Sequence, residues 1–233
     1  MSRLLEKITQ QIDLVESVKN ALFDAILTGE FLPGEKLAQD DLAEQMGVSR
    51  QPIIQALRIL SDHGILSPYG KKGVAVSELD EHKLLSLLQV RNELDCLAAK
   101  LAAMRAKTNK FDEDDHNQIN DLHELIDRSL TLMKGNNIPE THADLIRNDI
   151  EFHKMIRSLS GNMFIQTTLE PHLLHFSRVF YVITADRHHV IWDQHNSILE
   201  AILGGNVETA QNLTKAHSVE AETLIHWYRE KVY

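Results

Sequence analysis

The stretch LAQDDLAEQMGVSRQPIIQALRILSDHGIL, residues 37–66, followed by SPYGKKGVAV, residues 67–76, decides how this chain is read. Leu42, Ala43 and Met46 recur at helical spacing. Asp40 and Asp41 fall in the first turn of that helix, where the helix dipole favours carboxylates. Gly47 ends it, because glycine takes the left-handed conformation found at helix C-termini. Val48 is an apolar plug, and Ser49 is a good N-cap for a second helix. Pro52 lies in the first turn of that helix, where its ring is tolerated. Ile53, Ala56, Leu57 and Leu60 make the buried face, leaving Arg50, Gln51, Ile54, Gln55 and Arg58 outside it. Gly64 stops the helix. Two short strands at 65–67 and 74–76 are joined through Tyr69, Gly70, Lys71, Lys72 and Gly73, a tight loop with a basic tip. Helix, glycine turn, helix and hairpin in this order predict a winged helix-turn-helix, which lays its second helix in the major groove of double-stranded DNA. The competing reading, an ordinary helical hairpin with a surface turn, leaves the wing unexplained. The expected DNA contacts are Ser49, Arg50, Gln51, Gln55 and Arg58 on the helix and Lys71 and Lys72 on the wing. The two glutamines match adenine edges and Ile54 a thymine methyl.

Charge limits what kind of DNA reader this is. The chain has 24 basic against 34 acidic side chains, a formal net charge of −10. Residues 1–78 hold 8 basic and 11 acidic groups, while residues 48–76 hold 4 basic and 1 acidic. A small basic patch on an acidic protein suits a sequence reader, not a general coater of nucleic acid. One cysteine, Cys96, in a leucine- and alanine-rich stretch excludes a disulfide framework and reads as a buried small hydrophobe. The opening MSRLLEKITQQIDLVESV is amphipathic and charged, unlike a signal peptide. No run approaches the ~18 apolar residues of a membrane span. The expected location is the cytoplasm, with no membrane partner.

After Val76 the pattern changes. Ser77, Glu78, Leu79 and Asp80 form a joint, so the expected domains are 1–78 and 79–233. Apolar residues recur at Leu84, Leu87, Leu88, Leu94, Leu97, Ala98, Leu101 and Ala102, the mark of a long amphipathic helix. Further helices are expected at 112–134, from Pro139 to near Gly161, at 163–184 with a break at Pro171, at 185–203 and at 207–228. Six helices without strands predict a bundle, and the chain as a whole is mainly α. Arg105 reads as an ordinary surface arginine.

The residues FLPGEKL, DDLAEQMGVSRQPIIQAL and ILSPYGKKGVAV resemble the N-terminal domain of GntR-type bacterial regulators, over about residues 18–76. The helical remainder is similar to the FadR-like branch, whose effector domain is all-helical and is known as FCD. Two departures stand out. Family members typically carry arginine where Ile54 stands, and many carry it where Asp40 stands. The resemblance implies DNA binding but not the family's commonest operator.

Asp149 and His153, in DIEFH, are four apart and share one helix face. His195 and His217 lie on two later helices. Three imidazoles and a carboxylate form a usual ligand set for a divalent first-row metal. With 13 histidines in the chain, the same residues read equally as satisfied core or surface histidines. The resemblance separates the two. A metal-binding subset of FCD domains has Asp-x-x-x-His on one helix and a histidine on each of two later ones, which implies Asp149, His153, His195 and His217 as ligands of zinc, nickel or manganese. His188 and His189 are left without a role. The resemblance further implies a small organic acid effector over the metal, with Arg91 as the cation for its carboxylate; the plain reading of Arg91 is a surface residue paired with Glu93 or Asp95. The expected function is a homodimeric, effector-controlled repressor without enzymatic activity. Two alternatives stand beside it: a metal-dependent hydrolase fused to a DNA-binding domain, and a dimerisation module with a purely structural metal.

Overall fold

The computed structural model describes residues 3–70, 73–78, 80–134, 138–183 and 187–232. Lys71 and Lys72 lie outside them. The chain divides into two units, Met1–Asp80 and Glu81–Tyr233.

In the first unit α1 (Arg3–Leu27) lies against the helix-turn-helix formed by α2 (Gln39–Gln45) and α3 (Arg50–Asp62). Its face of Val18, Leu22, Phe23 and Ile26 is buried, as are Ile53, Ala56, Leu57 and Leu60 of α3. Each of the larger side chains contributes roughly 1.5–3 kcal/mol on full burial. Gly47 turns the chain with φ +62°, and the Val48 amide returns to the Ala43 carbonyl at 3.1 Å. Ser49 occupies the N-cap position of α3, but its side chain makes no capping bond. The cause is local. A capping oxygen accepts from the second or third helical amide, and the third residue here is Pro52, so only the Gln51 amide is left as a partner and it is not used.

The wing is a three-stranded antiparallel sheet in the order β1 (Lys36–Leu37), β3 (Gly73–Val76), β2 (Leu66–Tyr69). Leu66 opposes Val76 and Pro68 opposes Val74, so β2 and β3 form the expected hairpin, displaced slightly along the chain from the expected strands. The β1 strand carries no sequence signal. It is two residues long, and its Lys36 lies over the Tyr69 ring, 4.3 Å from the centroid.

The second unit contains α4 (Glu81–Lys107), α5 (Glu113–Leu132), α6 (Ile138–Leu159), α7 (Met163–Leu169), α8 (Leu173–Ile183), α9 (His188–Leu203) and α10 (Val207–Val232). This is one helix more than expected. The segment around Pro171 is two helices separated by a 3-10 turn, Glu170–His172, because proline supplies no amide to continue the α ladder. Helix α4 is central and packs on α6, α9 and α10. Ala98, Ala99, Ala102 and Ala103 are fully buried on it, and their small size admits close approach of its neighbours. Phe152, Leu159, Trp192, Leu199 and Ile202 fill the space around them.

Arg105 is not a plain surface residue. Its guanidinium donates to both carboxylate oxygens of Asp115, at 3.1 and 2.6 Å, and to the Leu159 carbonyl at 2.7 Å. Asp115 also closes a capping box with Asp112 at the start of α5. Cys96 is buried, and burial raises its thiol pKa to about 11.

Gly205 turns α9 into α10 with φ +65°, and a Cβ there would approach the Lys107 Cα to 2.9 Å. At Gly47 a Cβ would meet nothing within 4 Å. Gly47→Ala therefore costs only the left-handed conformation, about 1–2 kcal/mol. Gly205→Ala adds a backbone clash and destabilises by more. Urea unfolding of both variants checks this; equal losses would contradict the packing of this turn against the end of α4.

Candidate functional site

The exposed side of α3 carries the predicted DNA contacts. Ser49, Arg50, Gln51 and Arg58 are exposed, Gln55 is half-buried, and Ile54 is exposed although apolar. Arg50 is not alone there: its Nε lies 2.6 Å from Asp40 Oδ1, across the turn on α2. Arg58 Nε lies 4.0 Å from Asp62.

The second constellation is inside the helical unit. Asp149 and His153 come from α6, His195 from α9 and His217 from α10, and one ligand atom from each lies within 4.8 Å of all the others. The three histidines are buried and Asp149 nearly so. Asp149 Oδ1 is 3.4 Å from His195 Nε2 and 3.9 Å from His153 Nε2. The His195 ring is stacked on Phe152 at 4.1 Å between centroids and meets the edge of Trp192 at 4.9 Å.

The outer ring nitrogens face residues that the sequence did not connect with these histidines. Asp95 Oδ2 lies 3.5 Å from His153 Nδ1. Gln194 Oε1 accepts from His217 Nδ1 at 2.7 Å, leaving the Nε2 lone pair for the cluster. The Gln194 amide then donates to Glu220 Oε2 at 2.6 Å, and the other oxygen of Glu220 takes Arg187. Such partners fix the tautomer and ring angle of a ligating histidine. His153 Nε2 and both nitrogens of His195 are buried without a hydrogen-bond partner. Orphaned lone pairs facing a carboxylate in a dry interior are costly unless a cation lies among them, so the donor set fits a divalent ion.

Electrostatics agree with that fit. Burial first, and then Arg91 and neighbouring histidines, hold His153 and His195 well below the ordinary imidazole range. Burial and Arg91 bring His217 to about 4. All three are neutral near pH 7, as ligands must be. Burial raises Asp149 to about 6, with Arg91 opposing the shift.

Arg91 is not a surface residue. It is 6% exposed, donates Nε–H to Asp95 Oδ2 at 3.2 Å, and lies 5.1 Å from the ring centroids of both Phe176 and Phe180. It lines one cavity together with Asp149 and His217. Apolar walls come from Leu145, Ile146, Ile191 and Trp192. His188, left without a role above, also lines this cavity. It is buried, and its Nε2 is 2.5 Å from Nδ1 of His142, which in turn reaches the Tyr181 carbonyl. Burial and His142 lower His188 to about 4. Nothing in the local sequence around either histidine announces this pair, because it joins α6 to α9.

Comparison with known proteins agrees with both halves. The family "Bacterial regulatory proteins, gntR family" matches residues 14–76, and the family "FCD domain" matches residues 86–220. The HTH-type transcriptional regulator YdhC of Bacillus subtilis is 28% identical over 91% of each chain. The Nta operon transcriptional regulator of Aminobacter aminovorans is 29% identical over 57% of each. Among solved structures, Escherichia coli McbR/YncC superposes with a TM-score of 0.72 at 21% identity, covering 93% of this chain and 98% of that one. A GntR regulator from Rhodococcus sp. RHA1 gives 0.68 at 24% identity, covering 91% and 96%. The relatives are regulators and not enzymes, which removes the hydrolase alternative. Among the described residues no helix is long and apolar enough to cross a membrane. With a gntR-type winged head followed by an FCD domain that spans more than half of its length, the chain belongs to the FCD-bearing branch of the GntR family of DNA-binding transcription regulators.

Proposed function

We propose that this regulator is a homodimeric repressor that releases its operator when a small carboxylate binds beside a divalent metal in the helical unit. The observation that carries the reading is one cavity lined by Arg91, Asp149 and His217, with the other two donors, His153 and His195, buried behind it. Asp149, His153, His195 and His217 would hold zinc, nickel or manganese, and the ion would supply open coordination positions for an anionic oxygen. Arg91 lines the same space and would select a carboxylate. The apolar walls exclude water and limit ligand size. The effector needs only to prefer one of two arrangements of the dimer; a typical coupling of about 1–3 kcal/mol weakens operator binding 5- to 150-fold. Arg50, Gln51 and Ile54 on α3 face the operator, with Ser49, Gln55, Arg58, Lys71 and Lys72 as supporting contacts.

The dimer reading is supported by a row of exposed apolar side chains. Val90, Leu97 and Met104 recur every seven residues along α4 and are exposed. Leu94 and Leu101 flank the row and pack with Ile165 and Leu169 of α7, whose first turn exposes Met163 and Phe164. An apolar face of this kind marks an association surface. Leu97→Glu should yield monomers by light scattering and a much weaker full-operator complex, since the second head no longer adds its affinity. A dimer with unchanged mass would refute this surface.

Purified protein should carry about one divalent ion per chain, and His153→Ala or His195→Ala should each lose most of it. A free ion at about a thousandfold over Kd stabilises by about 4 kcal/mol, roughly 10 °C in Tm for a unit of this size. Because the imidazoles are already neutral, metal affinity should stay level from pH 8 to 7. It should fall below about pH 6 as Asp149 takes a proton. Titration calorimetry across that range reads the profile. A protein that binds no metal after reconstitution would overturn the site.

A screen of small mono- and dicarboxylates by thermal shift and operator binding tests the effector. The expected result is a rise in Tm and loss of DNA on the metal-loaded protein only. Arg91→Lys keeps the charge but loses the fork, and should weaken the response at least tenfold. Arg147→Ala, in an exposed pair with Asp144, should leave it unchanged. An equal response with and without metal would sink the proposal.

A further inference from the structure

Arg50 is the first residue of α3, and Asp40 lies in the first turn of α2, on the other side of the Gly47 turn. Asp40 Oδ1 and Arg50 Nε form an ion pair at 2.6 Å, with the two side chains 63% and 68% exposed. An exposed pair of this kind adds little to folding stability. Its effect lies in which nitrogen is occupied. A guanidinium offers five N–H donors in a rigid planar fork. With the carboxylate on the Nε side of the guanidinium, the outer edge formed by the two Nη groups remains available. That edge is the one that matches O6 and N7 of guanine in a bidentate contact. The ion pair also restrains where the side chain sits before DNA arrives, so less side-chain freedom is lost on contact.

The same contact changes the charge of the reading face. Affinity for phosphate without regard to sequence follows the cations a protein brings to the backbone. Arg50 arrives with its charge matched by Asp40, and Arg58 lies 4.0 Å from the Asp62 carboxylate on the next turn of α3. Each exposed arginine of this helix is accompanied by an acid. Such a face gains little from a random duplex and gains most where its fork finds a guanine.

We propose that Asp40 is a specificity-determining residue of this regulator: it pairs with Arg50 on the Nε side, keeps the outer fork turned to one guanine in each half-site, and suppresses binding to other sequences. This rests on α3 being the helix that enters the major groove. Asp40 itself touches no base and acts through Arg50.

The experiment uses the full-length chain and a library of duplexes with a randomised core. Selection by the unaltered protein defines the preferred half-site. Binding of that site and of a random-sequence duplex is then measured across salt for Asp40→Ala, Asp40→Asn, Arg50→Ala and the double variant Asp40→Ala/Arg50→Ala. The unaltered chain should prefer guanine at one position per half-site, and Arg50→Ala should abolish that preference. Asp40→Ala and Asp40→Asn should lower it about tenfold, raise affinity for the random duplex several-fold, and steepen the salt slope by about one per head. In the Arg50→Ala background, Asp40→Ala should no longer change the base preference, which separates aiming from a simple change of charge. If Arg50→Ala abolishes the preference while both Asp40 variants keep it, the proposal fails and α3 remains the reading helix. If Arg50→Ala leaves the preference intact, the placement of α3 fails and the proposal falls with it. Equal strengthening of specific and random duplexes by Asp40→Ala would also overturn it, since that outcome is charge alone.

Discussion

The helical unit depends on one buried carboxylate. Asp95, on α4, receives the fork of Arg157 from α6, Nε at 2.7 Å and Nη2 at 3.1 Å. It also receives Nε of Arg91 at 3.2 Å and faces His153. Arg157 is almost fully enclosed, so neither it nor Asp95 has water to fall back on. Removing one partner from a buried pair of this kind costs about 3–5 kcal/mol, because the other charge is left uncompensated. The energetic stake fixes the register of α6 against α4. His153 and Asp149 lie one and two turns before Arg157 on the same helix. Their distance from α9 and α10 is therefore set from the side of α4.

The interior thus balances charge with unusual economy. Two guanidiniums and two carboxylates share one region, while the imidazoles among them are kept neutral by burial and by the arginines. A neutral imidazole with its outer nitrogen engaged presents a lone pair inward. Phe152 and Trp192 prevent the His195 ring from turning away. Preorganisation of this kind places the cost of ordering the donors on folding rather than on ligand binding.

Different parts of this architecture were legible in the sequence to different degrees, and the reasons are physical. The helix-turn-helix is a local code: Gly47, Pro52 and the spacing of Ile53, Ala56, Leu57 and Leu60 act within about one turn of each other, and all four of those apolar residues are buried. The periodicity of α4 was legible as a helix but not as a set of faces. Leu88 and Ala98 are buried while Leu97 is exposed, because a central helix meets neighbours on several sides and its leftover face is also apolar. The four metal-type donors rested on resemblance, since histidines on separate helices carry no local spacing. The pairing of Arg91 with Asp95, four residues on, was legible, but the contacts of Asp95 with Arg157 and His153, the role of Gln194 and the His142–His188 pair were not. The meaning of those contacts comes from which helices meet, and no short window of sequence contains both partners. Arg105 was misread as a surface residue for the same reason, since Leu159 lies 54 residues away.

The small sheet of the head has a further consequence for life at high local concentration. Its middle strand β3 is paired on both sides, while β1 is two residues long and β2 carries Pro68, which has no amide to donate. A two-residue edge and a proline-bearing edge offer a poor template for strand addition by another chain. Many copies brought side by side along one duplex therefore have no continuous β ladder to extend. Crowding of such heads on DNA would find little in these two edges to pair with.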